Sequence, residues 1–153
     1  MAQKPIDGFG HVLLGQYLPE VGQALDAQGI YHSFTGQAVI YETTANDDRW
    51  YVSAGIVNNH VSTITVSARK VVPGAPPPIV GMQECDRRYD RTLDVLRHEY
   101  GDETRVPHDD APGLDDVIWA RNDRSVSLTR HKIEDGCDIL AVTYRDHASG
   151  ERF

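Results

Sequence analysis

A chain of 153 residues with 15 Lys and Arg against 23 Asp and Glu carries a formal net charge of -8. The length fits one domain, and 40% hydrophobic with 25% charged residues fits a folded chain rather than a disordered acidic tail. The sign of the charge argues against general nucleic-acid binding, where Lys and Arg must displace phosphate counterions, and against electrostatic attachment to a membrane surface.

No apolar run approaches the roughly 18 residues that a membrane helix needs. The start, Met1-Ala-Gln-Lys-Pro5, lacks the apolar core of a secretory signal. That leaves a cytosolic protein, or a mature form whose leader has been replaced by Met1.

Taken in chain order, the first predicted element is a helix over 18–28, where Leu18, Val21 and Leu25 share one face. Pro19 suits its first turn and Gly29 its C′ position. Strands are predicted at 38–43, 50–57 and 61–67. The last two form a hairpin at Asn58-Asn59, a residue type that tolerates the positive φ of a tight turn. Within 61–67, Val61, Thr63, Thr65 and Ser67 point to one side, and Ser62, Ile64 and Val66 to the other.

Residues 71–81 hold four of the eight prolines. Proline fixes φ and removes a donor, which predicts a linker without regular structure. On this reading 71–82 joins two halves, 1–70 and 83–153, within a single domain. Residues 1–82 contain 4 basic and 6 acidic residues, whereas 83–153 contain 11 and 17, so the negative charge concentrates in the second part.

The second half opens with a helix from Cys85 to Tyr100, with Tyr89, Leu93, Leu96 and Tyr100 at helical spacing and Gly101 as its stop. An acidic loop is expected from Asp102 to Asp116. Strands at 117–121 and 125–130 form a second hairpin at Asn122-Asp123, and a last strand at 139–144 follows the turn at Asp135-Gly136. The predicted fold class is therefore α+β, with two similar α-β-β(-β) halves whose helices pack on antiparallel sheet.

Cys85 is expected just before the second helix and Cys137 just before the last strand. Paired, they close a loop of about 52 residues, worth roughly 3–5 kcal/mol in the chain-entropy model. The alternative is two buried thiols. A disulfide would favour an oxidising compartment such as the bacterial periplasm.

The doubled order resembles the tandem repeat of the β-lactamase inhibitor proteins and related small bacterial periplasmic and immunity proteins. Leu14-Gly15 leading into Leu18-Pro-Glu-Val21 and Leu25 carries part of the resemblance. The rest lies in Leu93-Asp-Val-Leu-Arg-His-Glu-Tyr-Gly101, Ile118-Trp119, Val126-Ser-Leu128 and Leu140-Ala-Val-Thr-Tyr144. Gln16-Tyr17 departs from that family's small polar helix start. The resemblance implies two helix-plus-sheet repeats and an inhibitory binding role, and it transfers no contact residue.

Motifs of catalysis are weak. His98-Glu99 begins a zinc-protease pattern, but Asp102 stands where the second His belongs, and Gly101 ends the helix first. His108-Asp109-Asp110 with Asp115-Asp116 crowds carboxylates into one loop, at a spacing that matches no calcium loop. The open readings of that loop are a solvated surface, a contact face for a basic partner, or a metal site. Cys137 lies between Gly136 and Asp138, where an anionic neighbour disfavours the thiolate. There is no G-x-S-x-G elbow, and Gly8-Phe-Gly10 is too short for a phosphate loop. Trp50 and Trp119 enter hairpins at corresponding places, as core residues or as partner anchors.

The reading favoured by these residues is a non-enzymatic binding protein of the bacterial envelope, an inhibitor or immunity protein that blocks a basic toxin enzyme. It calls for no cofactor and no metal. Asn58, Asn59, Asp109, Asp110, Asp115 and Asp116 are the candidate partner contacts. The alternatives are an assembly factor of an envelope complex, and a ligand-binding protein or enzyme with a cavity lined by His32, His60 or His131 together with carboxylates.

Overall fold

Alternation of apolar and hydroxyl side chains runs through residues 48–67 and 114–146, and both stretches form long antiparallel strands. The computed structural model describes residues 4–70, 79–104 and 113–147. A small hairpin, β1 (Gly8–Phe9) and β2 (Val12–Leu13), precedes helix α1 (Leu18–Ala27). Strands β3 (His32–Phe34), β4 (Ala38–Ala45), β5 (Asp48–Val57) and β6 (His60–Ser67) follow. A two-residue strand, β7 (Val80–Gly81), leads directly into helix α2 (Met82–Tyr100). The chain continues as β8 (Leu114–Arg121), β9 (Arg124–Ile133) and β10 (Gly136–Asp146).

The principal sheet has the order β3-β4-β5-β6-β10-β9-β8, with β7 pairing onto the start of β10. All its pairings are antiparallel. The expectation of an α+β chain in two similar helix-plus-sheet halves is overturned: strands make up 51% and helices 23% of the described residues, a β-rich antiparallel fold. The two helices are unequal, at 10 and 19 residues. The last described strand before the proline-rich stretch, β6, pairs with the last described strand, β10, through Ser67↔Ala141 to Thr63↔Arg145. Two separate halves would each leave such a strand as an open edge, with unpaired N–H and C=O groups. Joining them satisfies both edges and merges the apolar faces into one core.

Other boundaries shift for local reasons. Val80 and Gly81 form β7 where a linker was expected, and the rest of the proline segment, 71–78, lies outside the described residues. Helix α2 starts at Met82, so Cys85 sits within its first turn rather than ahead of it, and Cys137 is the second residue of β10. Gly136 is what lets β7 approach: a Cβ there would lie 1.9 Å from the Val80 carbonyl oxygen. Gly101, at φ 82°, ends α2 as expected.

Register divides the sheet into two faces. On one, Val39, Ala54, Ile64, Tyr144, Val126 and Trp119 form a rank across six strands. Tyr41, Val52, Val66, Val142, Leu128 and Val117 form the rank beside it, and all twelve are buried. Val21 and Leu25 of α1, and Cys85, Tyr89, Leu96 and Tyr100 of α2, complete the same core. The β1–β2 hairpin joins this side as well, with the Phe9 ring 6.3 Å from that of Tyr144. Trp50 and Trp119 are both core residues, and each indole N–H donates to a carbonyl, of Ala45 and Gly101 respectively.

Candidate functional site

Strand alternation dictates that the opposite face carries the complementary residues. Ser33, Ile40, Ser53, Thr65, Thr143, Ser127 and Ile118 form one rank there, and none of them is buried. Glu42, Tyr51, Ser67, Ala141, Thr129 and Asp116 form the next. Among the described residues both helices and the small hairpin pack on the other side, so this face is left uncovered. Its centre is lined with short hydroxyl side chains.

At the β3–β6 end the uncovered face deepens into an open groove of about 990 Å³. Ile40, Tyr51, Ser53 and Thr65 line its floor, Tyr31 stands on one side, and Arg69 and Lys70 stand on the other. Tyr31 is 88% exposed and Phe34, on the edge strand, 53%. Tyr31 belongs to the short connection between α1 and β3, so its ring has no strand neighbour to pack on. The cations are unevenly matched. Glu42 receives Arg49 at 3.3 Å and Lys70 at 3.6 Å. Among the described residues the buried Nη1 of Arg69 has no hydrogen-bond partner.

The residues singled out from the sequence are dispersed. Asn58 and Asn59 form the β5–β6 turn with φ of 52° and 63°, as the hairpin requires. Both are exposed, and the Asn59 carbonyl accepts the Leu18 N–H at the start of α1. Seven residues of extended chain, about 23 Å, separate Asn58 from Tyr51 in the groove. Asp115 and Asp116 lie in edge strand β8 and not in the expected loop. The Asp115 carboxylate accepts from Arg130 Nη2 at 2.8 Å, while Asp116 accepts from the Thr129 hydroxyl at 3.1 Å. Four strand spacings, about 19 Å, lie between β8 and β5. Asp109 and Asp110 lie outside the described residues, as does His108.

Cys85 and Cys137 are joined in a disulfide, with Cα atoms 6.2 Å apart. It ties α2 to β10 at the point where β7 also pairs, so three contacts fix one corner. The histidines do not gather: His32 faces Asp26 at 3.8 Å, His60 stacks near Tyr17, and His131 meets Asp138 at 2.6 Å. Among the described residues no three His, Cys, Asp or Glu side chains cluster to hold a metal, and no helix is long and apolar enough to cross a membrane.

Perturbed ionisation sits mostly on the helix-covered side. Burial pushes the Tyr100 hydroxyl up to about 12, and pushes Tyr144 well above the ordinary phenol range. Burial lowers Arg88, whose guanidinium lies 4.5 Å over the Trp50 ring. The hydrogen bonds from Arg97 hold Glu103 below the usual carboxylate range. Buried phenols and fixed ion pairs of this kind stiffen a fold; none places an acid beside a base in the groove. Chemically, the groove offers an aromatic and aliphatic surface with cations at one side, which suits recognition.

No family model matches the chain, and neither does any curated protein or solved structure.

Proposed function

We propose that this chain is a non-catalytic binding protein of the bacterial envelope, an inhibitor or immunity protein that blocks a toxin enzyme by protein–protein contact through the uncovered sheet face. One observation carries the reading: a seven-strand face with no helix on it among the described residues ends in a groove lined by exposed Tyr31 and Ile40. Exposed apolar patches on a globular protein mark interaction sites, and tyrosine is a preferred anchor in them. A rigid sheet also presents such anchors with little ordering cost on binding.

Two further features support it. The disulfide fits an oxidising compartment such as the periplasm. The net charge of -8 favours encounter with a basic enzyme.

The test is capture from an envelope extract of the source organism by the tagged chain and by its Tyr31→Ala/Tyr51→Ala variant. The reading expects the intact chain to recover an enzyme and to inhibit it, and the variant to lose tenfold or more in affinity. Recovery of no enzyme, or equal capture by both proteins, contradicts it.

A further inference from the structure

We infer that the groove seats an acidic segment of the partner protein, with a carboxylate on Arg69 and an adjoining aromatic or aliphatic side chain on the Tyr31–Ile40–Tyr51 surface. This rests on the reading of the uncovered face as the contact surface, and it specifies what that surface selects.

The charge pattern makes the argument. The chain as a whole is strongly acidic, yet this corner is basic. Arg49 and Lys70 both approach the Glu42 carboxylate, and Arg69 adds a third positive charge beside them. Arg69 makes no ion pair among the described residues, and its backbone N–H is already used on the Ser67 hydroxyl at 3.3 Å. Its Nη1 has no hydrogen-bond partner among the described residues.

Arg69 lines the open groove, and the group that best matches a guanidinium there is a carboxylate, which accepts two parallel N–H bonds. The surface next to it is apolar and aromatic. A segment filling both must combine Asp or Glu with a large apolar side chain within a few residues. The far field of the chain favours a partner that is basic overall. The acidic segment is then a local feature of that partner, and its fit to Arg69 discriminates among basic enzymes.

Selection of a random dodecapeptide library on the immobilised, oxidised full chain tests this without knowledge of the partner. The expected winners carry Asp or Glu close to Phe, Tyr, Trp or Leu. A winning peptide should shift the amide resonances of Tyr51, Ser53 and Thr65. Exchange of its acidic residue for the amide should weaken binding about tenfold, as should Arg69→Gln in the protein. The peptide exchange keeps the test valid even if the Arg69 variant fails to fold.

Enrichment of basic or purely apolar peptides, no enrichment, indifference to the carboxylate, or shifts confined to another surface would each overturn the inference. An enzyme captured through Tyr31 and Tyr51 would still support partner binding in any of those cases, so the two failures are distinguishable.

Discussion

The Arg88 guanidinium lies 4.5 Å above the Trp50 ring and donates from Nη2 to the Arg49 carbonyl at 2.7 Å. It is buried, as is Asp48, which approaches its Nε at 3.9 Å and accepts from Arg87 at 2.8 Å. A buried pair is fragile when one member alone is removed, because the survivor keeps its desolvation cost. Asp48→Ala should therefore destabilise the protein by about 3 kcal/mol, by stranding Arg88. Arg88→Met should cost clearly less, since Asp48 retains Arg87 and the methionine still covers Trp50. Urea unfolding of the two variants checks the order; the reverse order contradicts it.

The Cys85–Cys137 bond closes a separation of 52 residues, for which the chain-entropy model gives about 4 kcal/mol. Replacing both cysteines by serine should lower the stability by an amount of that size, and reductant should destabilise the native protein while leaving the serine variant unchanged. Gly136→Ala should be damaging at the same corner, because the added methyl would collide with the Val80 carbonyl. Thermal melts with and without reductant measure both effects.

Alkaline sensitivity follows from the buried phenols. Tyr100 is raised from 10.0 to about 12, and Tyr144 well above the ordinary phenol range, both by burial. A group whose folded pKa is raised contributes its full stability below the unfolded value and loses it as the pH climbs toward the folded one. The melting temperature should thus hold up to about pH 10 and fall from there toward pH 12. Tyr100→Phe should flatten part of that fall. Glu103 has the opposite sign: its depressed pKa makes its contribution present above the usual carboxylate range and lost as the pH drops through the folded value. Being partly exposed, it should give a small effect, abolished in Arg97→Gln.

Arg130 spans Tyr89, 3.7 Å from the ring centroid, and the carboxylates of Asp86 and Asp115 at 3.1 and 2.8 Å. Asp115→Ala should lower stability through loss of this clamp, whereas Asp116→Ala, which gives up a hydrogen bond from Thr129, should change little. Denaturation midpoints of the two single variants provide the comparison.

Much of the local structure could be read from the sequence. The alternation in 50–57 and 61–67, the Asn58-Asn59 turn, and Gly29 and Gly101 as helix stops all follow from short-range rules. What failed was long-range. Nothing in residues 60–67 or 136–146 says that β6 and β10 will be neighbours, because pairing between distant strands leaves no local trace. The two-halves reading fell on that point. The short strands β1, β2, β3 and β7 leave no sequence signal, since two or three residues give no measurable period.

The groove was missed for a related reason. Alternation puts Val61, Thr63, Thr65 and Ser67 on one side of their strand; a register shift leaves Val61 buried, and only the placement of both helices on the other side shows that the remaining three face an open side. Arg69 and Tyr31 flank predicted elements without any motif. Asp115 belongs to an acidic run in the sequence, whereas in the fold its charge is engaged by Arg130.

The central claim is that the uncovered face, and no other, makes the functional contact. A bulky residue placed in its middle, Ser53→Trp, separates this from the alternatives. On an open face the indole meets solvent, so the melting temperature should stay close to that of the parent, while binding of the captured enzyme is lost. Overpacking a covered face would instead cost about 1–3 kcal/mol. Full binding by a stable Ser53→Trp protein, or a collapse of its stability, would contradict the account.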